Sequence, residues 1–303
     1  MLQTRLTTGF SIVGVLVLLL WLDEVLGLAP WYPFWFLAAV VAMGASALEF
    51  VGLLGATSAR PSGNAVFGGV LAMLVANWAP HLTAHLARPG HIAESVLYDP
   101  ASPVHALAWP FWCLAAIVMF AFIAQSVQFV QPGRTMATIA GTILAVAYVG
   151  LLGTFLVQIR WLPHAVVPLA ALIATAKGSD VGAYTLGRLA GRHKLWPRLS
   201  PNKTVEGAVG GLIFGVAAAV LVEAGARLWY GSPALGWGPA VGFGVVVGAA
   251  AQLGDLMESM IKRDCARKDA SDAVPGFGGV LDVLDSLLFA GPVAFGYWLI
   301  YGH

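Results

Sequence analysis

Residues 238–263 read GPAVGFGVVVGAAAQLGDLMESMIKR, and from Gly238 to Gly254 no side chain carries a charge. A bilayer core is crossed by about 20 consecutive apolar residues in a helix, so 238–258 reads as a membrane span. Asp255 closes its apolar part, directly after Ala249 to Leu253. An ionisable group at that depth costs about 2.5–3.5 kcal/mol or more unless it faces a polar cavity or a partner. Asp255 therefore marks a functional candidate as well as a span. In a helix, Asp255, Glu258 or Ser259, and Lys262 recur on one face. A local Glu258–Lys262 ion pair on a solvated helix end is the plainer account of the last two.

The rest of the chain repeats the apolar pattern. Nine segments qualify, near 10–28, 34–54, 64–82, 107–130, 138–158, 162–179, 207–229, 238–258 and 284–301, with the pair around Arg160 alternatively one broken helix. Of the 303 residues, 59% are hydrophobic and 10% are charged, with a net charge of +1. A soluble domain carries roughly 25% charged residues. This composition excludes disordered, collagen-like, disulfide-stapled and free nucleic-acid-binding classes. Arg5 followed by the run from Phe10 to Trp21 resembles a secretory signal, but no small-x-small cleavage site follows, so a first span is expected. Cys113 and Cys265 sit in unlike surroundings without metal-ligand spacing. The expected fold is all-α and polytopic, with about nine transmembrane helices.

Charge placement orients it. With a cytoplasmic N-terminus, the inner side receives Arg5, Arg60, Arg134, the cluster Arg188 to Lys203, and Lys262, Arg263, Arg267 and Lys268. The outer side receives Arg88, Arg160 and Arg227, while Lys177 falls within a span; that asymmetry follows the positive-inside rule. Residues 1–176 hold five of the 16 basic and five of the 15 acidic residues. They read as a transmembrane scaffold, with an exposed outer loop at 83–106. Residues 177–303 read as a catalytic transmembrane domain with cytoplasmic loops 187–206 and 259–283.

Chemistry concentrates in that second part. Pro275-Gly276-Phe277-Gly278-Gly279 is a turn whose glycines, Gly278 and Gly279 in particular, permit close backbone approach and amide hydrogens aimed at phosphate. Asp282 and Asp285 follow at a spacing of three, on one face near a helix start. Helix-dipole complementarity alone accounts for about 0.3–1 kcal/mol there. Asp285 lies deeper, ahead of Leu287, Leu288 and Phe289, and paired carboxylates suit a hard divalent cation. With Asp255 as a third ligand they form a candidate Mg²⁺ site. Lys262 and Lys268, flanked by these acids, suit phosphate neutralisation; Arg267 is accounted for by topology and anionic lipid.

Upstream, Ser200-Pro201 reads as an N-cap with proline at the first helical position, placing Lys203 and Thr204 in a first turn able to hold phosphate. Asp180 follows an apolar run and needs a partner, for which Lys177 or Arg188 is available. Gly207, Gly211 and Gly215, four apart, are helix-packing positions. His81 and His85 have helix-face ligand spacing without a third ligand. Asp23, Glu24 and Glu49 near span ends read as interfacial or packing groups.

On these residues the second half resembles the phosphatidate cytidylyltransferase (CDP-diacylglycerol synthase) family. The family signature S-x-x-K-R, K-D, P-G-H-G-G-x-x-D-R-x-D stands here as Ser259, Lys262-Arg263, Lys268-Asp269, Pro275 to Gly279, Asp282 and Asp285. Gly254-Asp255, the block Ser200 to Gly207, and Asp180 to Arg188 match as well. Phe277 and Val283 replace the family's His and Arg. The resemblance implies CTP + phosphatidate → CDP-diacylglycerol + pyrophosphate at the cytoplasmic face of the cell membrane. It implies Mg²⁺, with room for a second cation, on Asp255, Asp282 and Asp285, with Asp180 orienting or ligating a cation. Lys262 and Lys268 would neutralise phosphates, Arg263 would meet the lipid phosphate, and Ser200, Lys203 and Thr204 would bind the second phosphate group. Ser259, Gly278 and Gly279 complete the substrate set by their place in the signature, and a homodimer is implied with membrane lipids as surroundings. The departures at 277 and 283 leave two alternatives: a CTP-dependent enzyme for another lipid phosphate or alcohol, and a silent lipid-binding paralogue. A transporter using Asp180 and Asp255 as an ion path predicts two repeated halves, which this chain lacks.

Overall fold

The computed structural model describes residues 2–86, 103–130 and 132–302. Among them, nine helices are long and apolar enough to cross a membrane. They are α1 (Leu2–Val25), α2 (Pro33–Leu54), α3 (Gly63–Leu86), α4 (Ala108–Val127), α5 (Thr135–Trp161), α6 (Val166–Ala190), α7 (Val205–Tyr230), α8 (Trp237–Asp264) and α9 (Val280–Tyr301). One antiparallel hairpin, β1 (Lys194–Trp196) with β2 (Ser200–Thr204), joins α6 to α7. The expected all-α, multi-span architecture is the one found. Around Arg160 the chain makes two helices, because α5 ends in a tight 3₁₀ turn over Ile159–Trp161 and α6 starts at Val166. Most of the expected outer loop at 83–106, and the side chain of His85, lie outside the described residues.

Helix ends depart from the hydropathy boundaries for a physical reason. A helix stops where its backbone groups find other partners, not where the chain becomes polar. So α6 runs past 179 to Ala190, carrying Asp180 and Arg188 as helical residues, and α8 runs on to Asp264. The helix expected to start at Pro201 instead starts at Val205. Ser200 and Pro201 lie in β2, and Thr204 is the N-cap, its Oγ1 accepting the Gly207 N–H at 3.1 Å. Pairing with β1 holds these residues extended, so Lys203 precedes the helix rather than lying in its first turn.

Two compact units arise, Met1–Gln158 with Asp269–Val283, and Ile159–Lys268 with Leu284–His303. In the first, α2 and α3 bury Met43, Ala47, Phe50, Val70, Met73 and Leu74. Phe50 stacks on Tyr148 of the π-helical turn within α5, with ring centroids 5.1 Å apart. Several polar groups inside the first unit's spans pair with one another, as hydrocarbon favours. Asn77 donates to Thr154 Oγ1, and Gln158 donates to Asn77 Oδ1 and meets His81. Asp23 accepts the N–H groups of Phe34 and Trp35, capping α2.

In the second unit, α6 and α7 approach backbone to backbone. A Cβ at Gly207 would lie 2.8 Å from the Ala183 carbonyl oxygen, and one at Gly211 3.0 Å from that of Ser179. Only glycine permits these approaches, which gives the four-residue glycine spacing its packing meaning. Gln252 of α8 ties the three helices, donating to Ser179 Oγ at 3.0 Å and to the Ala208 carbonyl at 3.1 Å. Burial pushes the Cys265 thiol up, which argues against an activated thiolate there.

Candidate active site

Within the second unit, four elements deliver charged groups to one place. Asp255 stands on α8, Asp285 on α9, Lys177 and Asp180 on α6, and Lys203 on β2. Lys203 Nζ lies 2.7 Å from Asp255 Oδ2. Lys177 Nζ lies 3.2 Å from Asp180 Oδ2 and 3.2 Å from Ser286 Oγ. Asp285 is 7% exposed and lies within electrostatic reach of Asp255, Lys177 and Asp180. Asp180 in turn is within reach of Lys177, Asp255 and Lys203. The helical geometry that brings Asp285 in depends on Gly254. A Cβ there would stand 2.6 Å from the Asp285 carbonyl oxygen and 2.9 Å from Phe289 Cβ, so the Gly254-Asp255 pair combines a close helix crossing with the acid it delivers.

Three carboxylates, Asp285 buried and Asp180 and Asp255 part-exposed, against two ammonium groups leave a surplus of negative charge, which favours a bound cation. The donors are hard oxygens, the kind Mg²⁺ takes. Yet no group of three or more His, Cys, Asp or Glu among the described residues is gathered tightly enough to hold a metal by itself.

Other expected residues are placed differently. Asp282 is engaged in the turn before α9, where its Oδ2 accepts the Gly279 N–H at 2.6 Å and the Ala270 N–H at 2.9 Å. The Gly278 N–H donates to the Val274 carbonyl. The amides of Gly278 and Gly279, expected to face phosphate, therefore turn inward. A turn with positive φ at Gly276 and Gly278 closes on itself by a Val274–Gly278 bridge, which directs these donors to internal acceptors. Lys262 lies 2.5 Å from Glu258 Oε2, and the Glu258 side chain is fully buried. The local pair anticipated on a solvated end is thus real but interior. Ser259 is half-buried on α8, Arg263 and Lys268 are exposed, and Arg263 donates to the Arg267 carbonyl. Arg188 reaches Tyr184 rather than Asp180. The Phe277 ring lies against Gly9 of α1, where an added Cβ would be 3.6 Å from Phe277 Cζ.

Lys177 and Ser286 belong to the cluster although the motifs alone did not single them out as site residues. The signal for Lys177 was its place inside an apolar run, where a cation needs an acid. For Ser286 there was none, since a serine in a helix has no distinctive spacing.

The cytidylyltransferase family profile matches residues 3–301. The phosphatidate cytidylyltransferase of Staphylococcus saprophyticus (strain ATCC 15305) is 35% identical over 185 residues, covering 59% of this chain and 67% of that protein. That of Staphylococcus aureus (strain COL) is 31% identical over 236 residues, 75% of this chain and 86% of the relative. That of Staphylococcus epidermidis is 33% identical over 214 residues, 69% and 78% respectively. The match extends through the scaffold spans as well as the acidic and basic motifs, and the chain belongs to the cytidylyltransferase family.

Proposed function

We propose that this multi-pass membrane protein catalyses CTP + phosphatidate → CDP-diacylglycerol + pyrophosphate, at the cytoplasmic face of the cell membrane. The observation that carries the reading is the meeting of Asp180, Asp255 and Asp285 with Lys177 and Lys203 where three membrane-type helices and the hairpin converge. A nucleoside triphosphate brings several negative charges to one spot, and cations must share them. The names of the staphylococcal relatives supply the lipid.

A phosphate oxygen of phosphatidate forms a bond to the α-phosphorus of CTP while the α–β anhydride bond breaks and pyrophosphate leaves. The attacking monoester has a second pKa of about 6 and is largely dianionic near neutrality, so it needs positioning rather than a base. Phe277 in place of His is compatible with that chemistry. Mg²⁺, when bound, would neutralise phosphate charge and stabilise the leaving pyrophosphate. Asp255 and Asp285, with Asp180 beside them, are its proposed holders. Lys203 holds Asp255 in the free protein and is proposed to turn to a CTP phosphate when that carboxylate is engaged. Ser200 and Thr204 frame it on the hairpin. Lys268 and Arg263, exposed and cationic, are proposed to meet phosphate, whereas Lys262 is assigned to Glu258. Asp282 is assigned to holding the turn.

Purified protein given CTP, Mg²⁺ and phosphatidate should release pyrophosphate and form CDP-diacylglycerol only when the lipid is present. No release by folded protein, beside an active family control, would refute the reaction; release with other lipid phosphates alone would reassign the acceptor. Lys203→Gln should raise the KM for CTP by at least about tenfold, the scale of one charge-assisted contact. An unchanged KM would remove Lys203 from the nucleotide site.

A further inference from the structure

Glu49 stands on α2, a span of mean hydropathy 2.0, and its partners lie more than 220 positions along the chain. Its Oε1 accepts the Ser271 hydroxyl at 2.6 Å and the Val280 N–H at 3.0 Å, and its Oε2 accepts the Leu281 N–H at 2.8 Å. The first two amides of α9 are thus capped by a side chain from another span. The amide just before them, Gly279, is taken by Asp282. A helix N-terminus holds about half a positive charge and orphaned N–H donors, and here two carboxylates fill it. The turn is fitted to this arrangement: a Cβ at Gly279 would stand 2.8 Å from the Glu49 carboxyl carbon. Glycine at 279 is therefore what leaves room for the carboxylate. Glu49 is a specific clamp rather than an interfacial charge.

We infer that Glu49 is a positioning residue for the reaction, acting through α9. That helix carries Asp282 in its first turn and Asp285 in its second. Fraying or rotation of the first turn would displace both acids, and misplacement by about 1 Å costs about 10²-fold in rate. The inference rests on the reaction proposed above for its catalytic part, but the clamp itself is testable without turnover.

Two readouts separate these parts. Hydrogen exchange in detergent or nanodiscs, followed on peptides covering residues 270–283, should accelerate at Val280 and Leu281 in Glu49→Ala, while peptides from α7 stay at the wild-type rate. In the same variant kcat should fall about 10²-fold with the KM for CTP within about threefold, because no residue proposed to touch CTP has changed. Glu49→Gln keeps one acceptor oxygen and should fall between, which covers the case of an Ala variant that does not fold. Gly279→Ala should reproduce the exchange pattern of Glu49→Ala, since the added methyl takes the carboxylate's place. Unchanged exchange at Val280 and Leu281 in both Glu49 variants would overturn the clamp. Accelerated exchange with wild-type kcat would overturn the positioning role. A wild type that is inactive but shows the predicted exchange would refute the reaction and with it the positioning role, leaving the clamp established.

Discussion

Asp285→Asn should lower pyrophosphate release by at least about 10²–10³-fold, the scale seen when one electrostatic contact to a transition state is removed, while leaving the protein folded. The substitution keeps size, shape and the oxygen that accepts the Ser286 N–H. What it removes is one negative charge within reach of Asp255 and Asp180. In the free protein burial and the two neighbouring acids disfavour that charge while Lys177 offsets them in part, so the thermal midpoint should be unchanged or raised. In the proposed reaction that charge helps to hold the cation, so the Mg²⁺ concentration for half-maximal rate should rise. A gain in stability with a loss of rate is the signature of a site whose charges are arranged for a ligand. Near-normal turnover would remove Asp285 from the metal site. A large fall in the midpoint would assign it to structure instead.

Glu223→Ala should give the largest loss of stability. Glu223 is 2% exposed on α7. It accepts Arg227 Nε at 2.7 Å and the amides of Ala234, Leu235 and Gly236 at 3.3, 2.9 and 3.1 Å, closing the loop before α8. Arg227 also lies over the Trp237 ring at 4.5 Å. Truncation leaves three amides and a part-exposed guanidinium without their acceptor, a loss of about 2–3 kcal/mol, the scale of hydrogen bonds to a charged group. For a chain of this size that is on the order of 10 °C in the midpoint. Glu223→Gln, which keeps an acceptor, should lose less. Below the transition the KM for CTP should stay at the wild-type value, because Glu223 sits at the opposite end of α7 from Thr204 and the hairpin. A midpoint within about 2 °C of wild type would refute the capping role.

Glu49 and Glu223 are two forms of one device. Each is a carboxylate in an apolar helix that accepts backbone amides, Glu49 at the start of a later helix and Glu223 in the loop just before one. Neither announces its partners in the sequence, because hydrogen-bond acceptors for backbone amides have no residue-type signature. Asp255 and Asp285 were legible because an acid beyond an apolar run is expensive, and expense is visible in one dimension. Lys262 was legible only as a charge. Its pairing with Glu258 follows from helical spacing, but the burial of that pair depends on neighbouring elements. Phe277 and Val283 could be read as departures from a motif, whereas the contact of Phe277 with Gly9 required the folded chain.

The sequence by itself determined the nine span-length apolar helices found among the described residues, the all-helical class and the segment in which acids and bases gather. Each follows from transfer of side chains into hydrocarbon, a property of consecutive residues. Tertiary structure decided where helices end, that Ser200 to Thr204 is a strand, and that the amides of Gly278 and Gly279 face inward. It also decided which acids come within electrostatic reach of one another. Those outcomes depend on where a backbone donor finds its acceptor and which charges approach within a few ångströms, and both are set by residues distant along the chain.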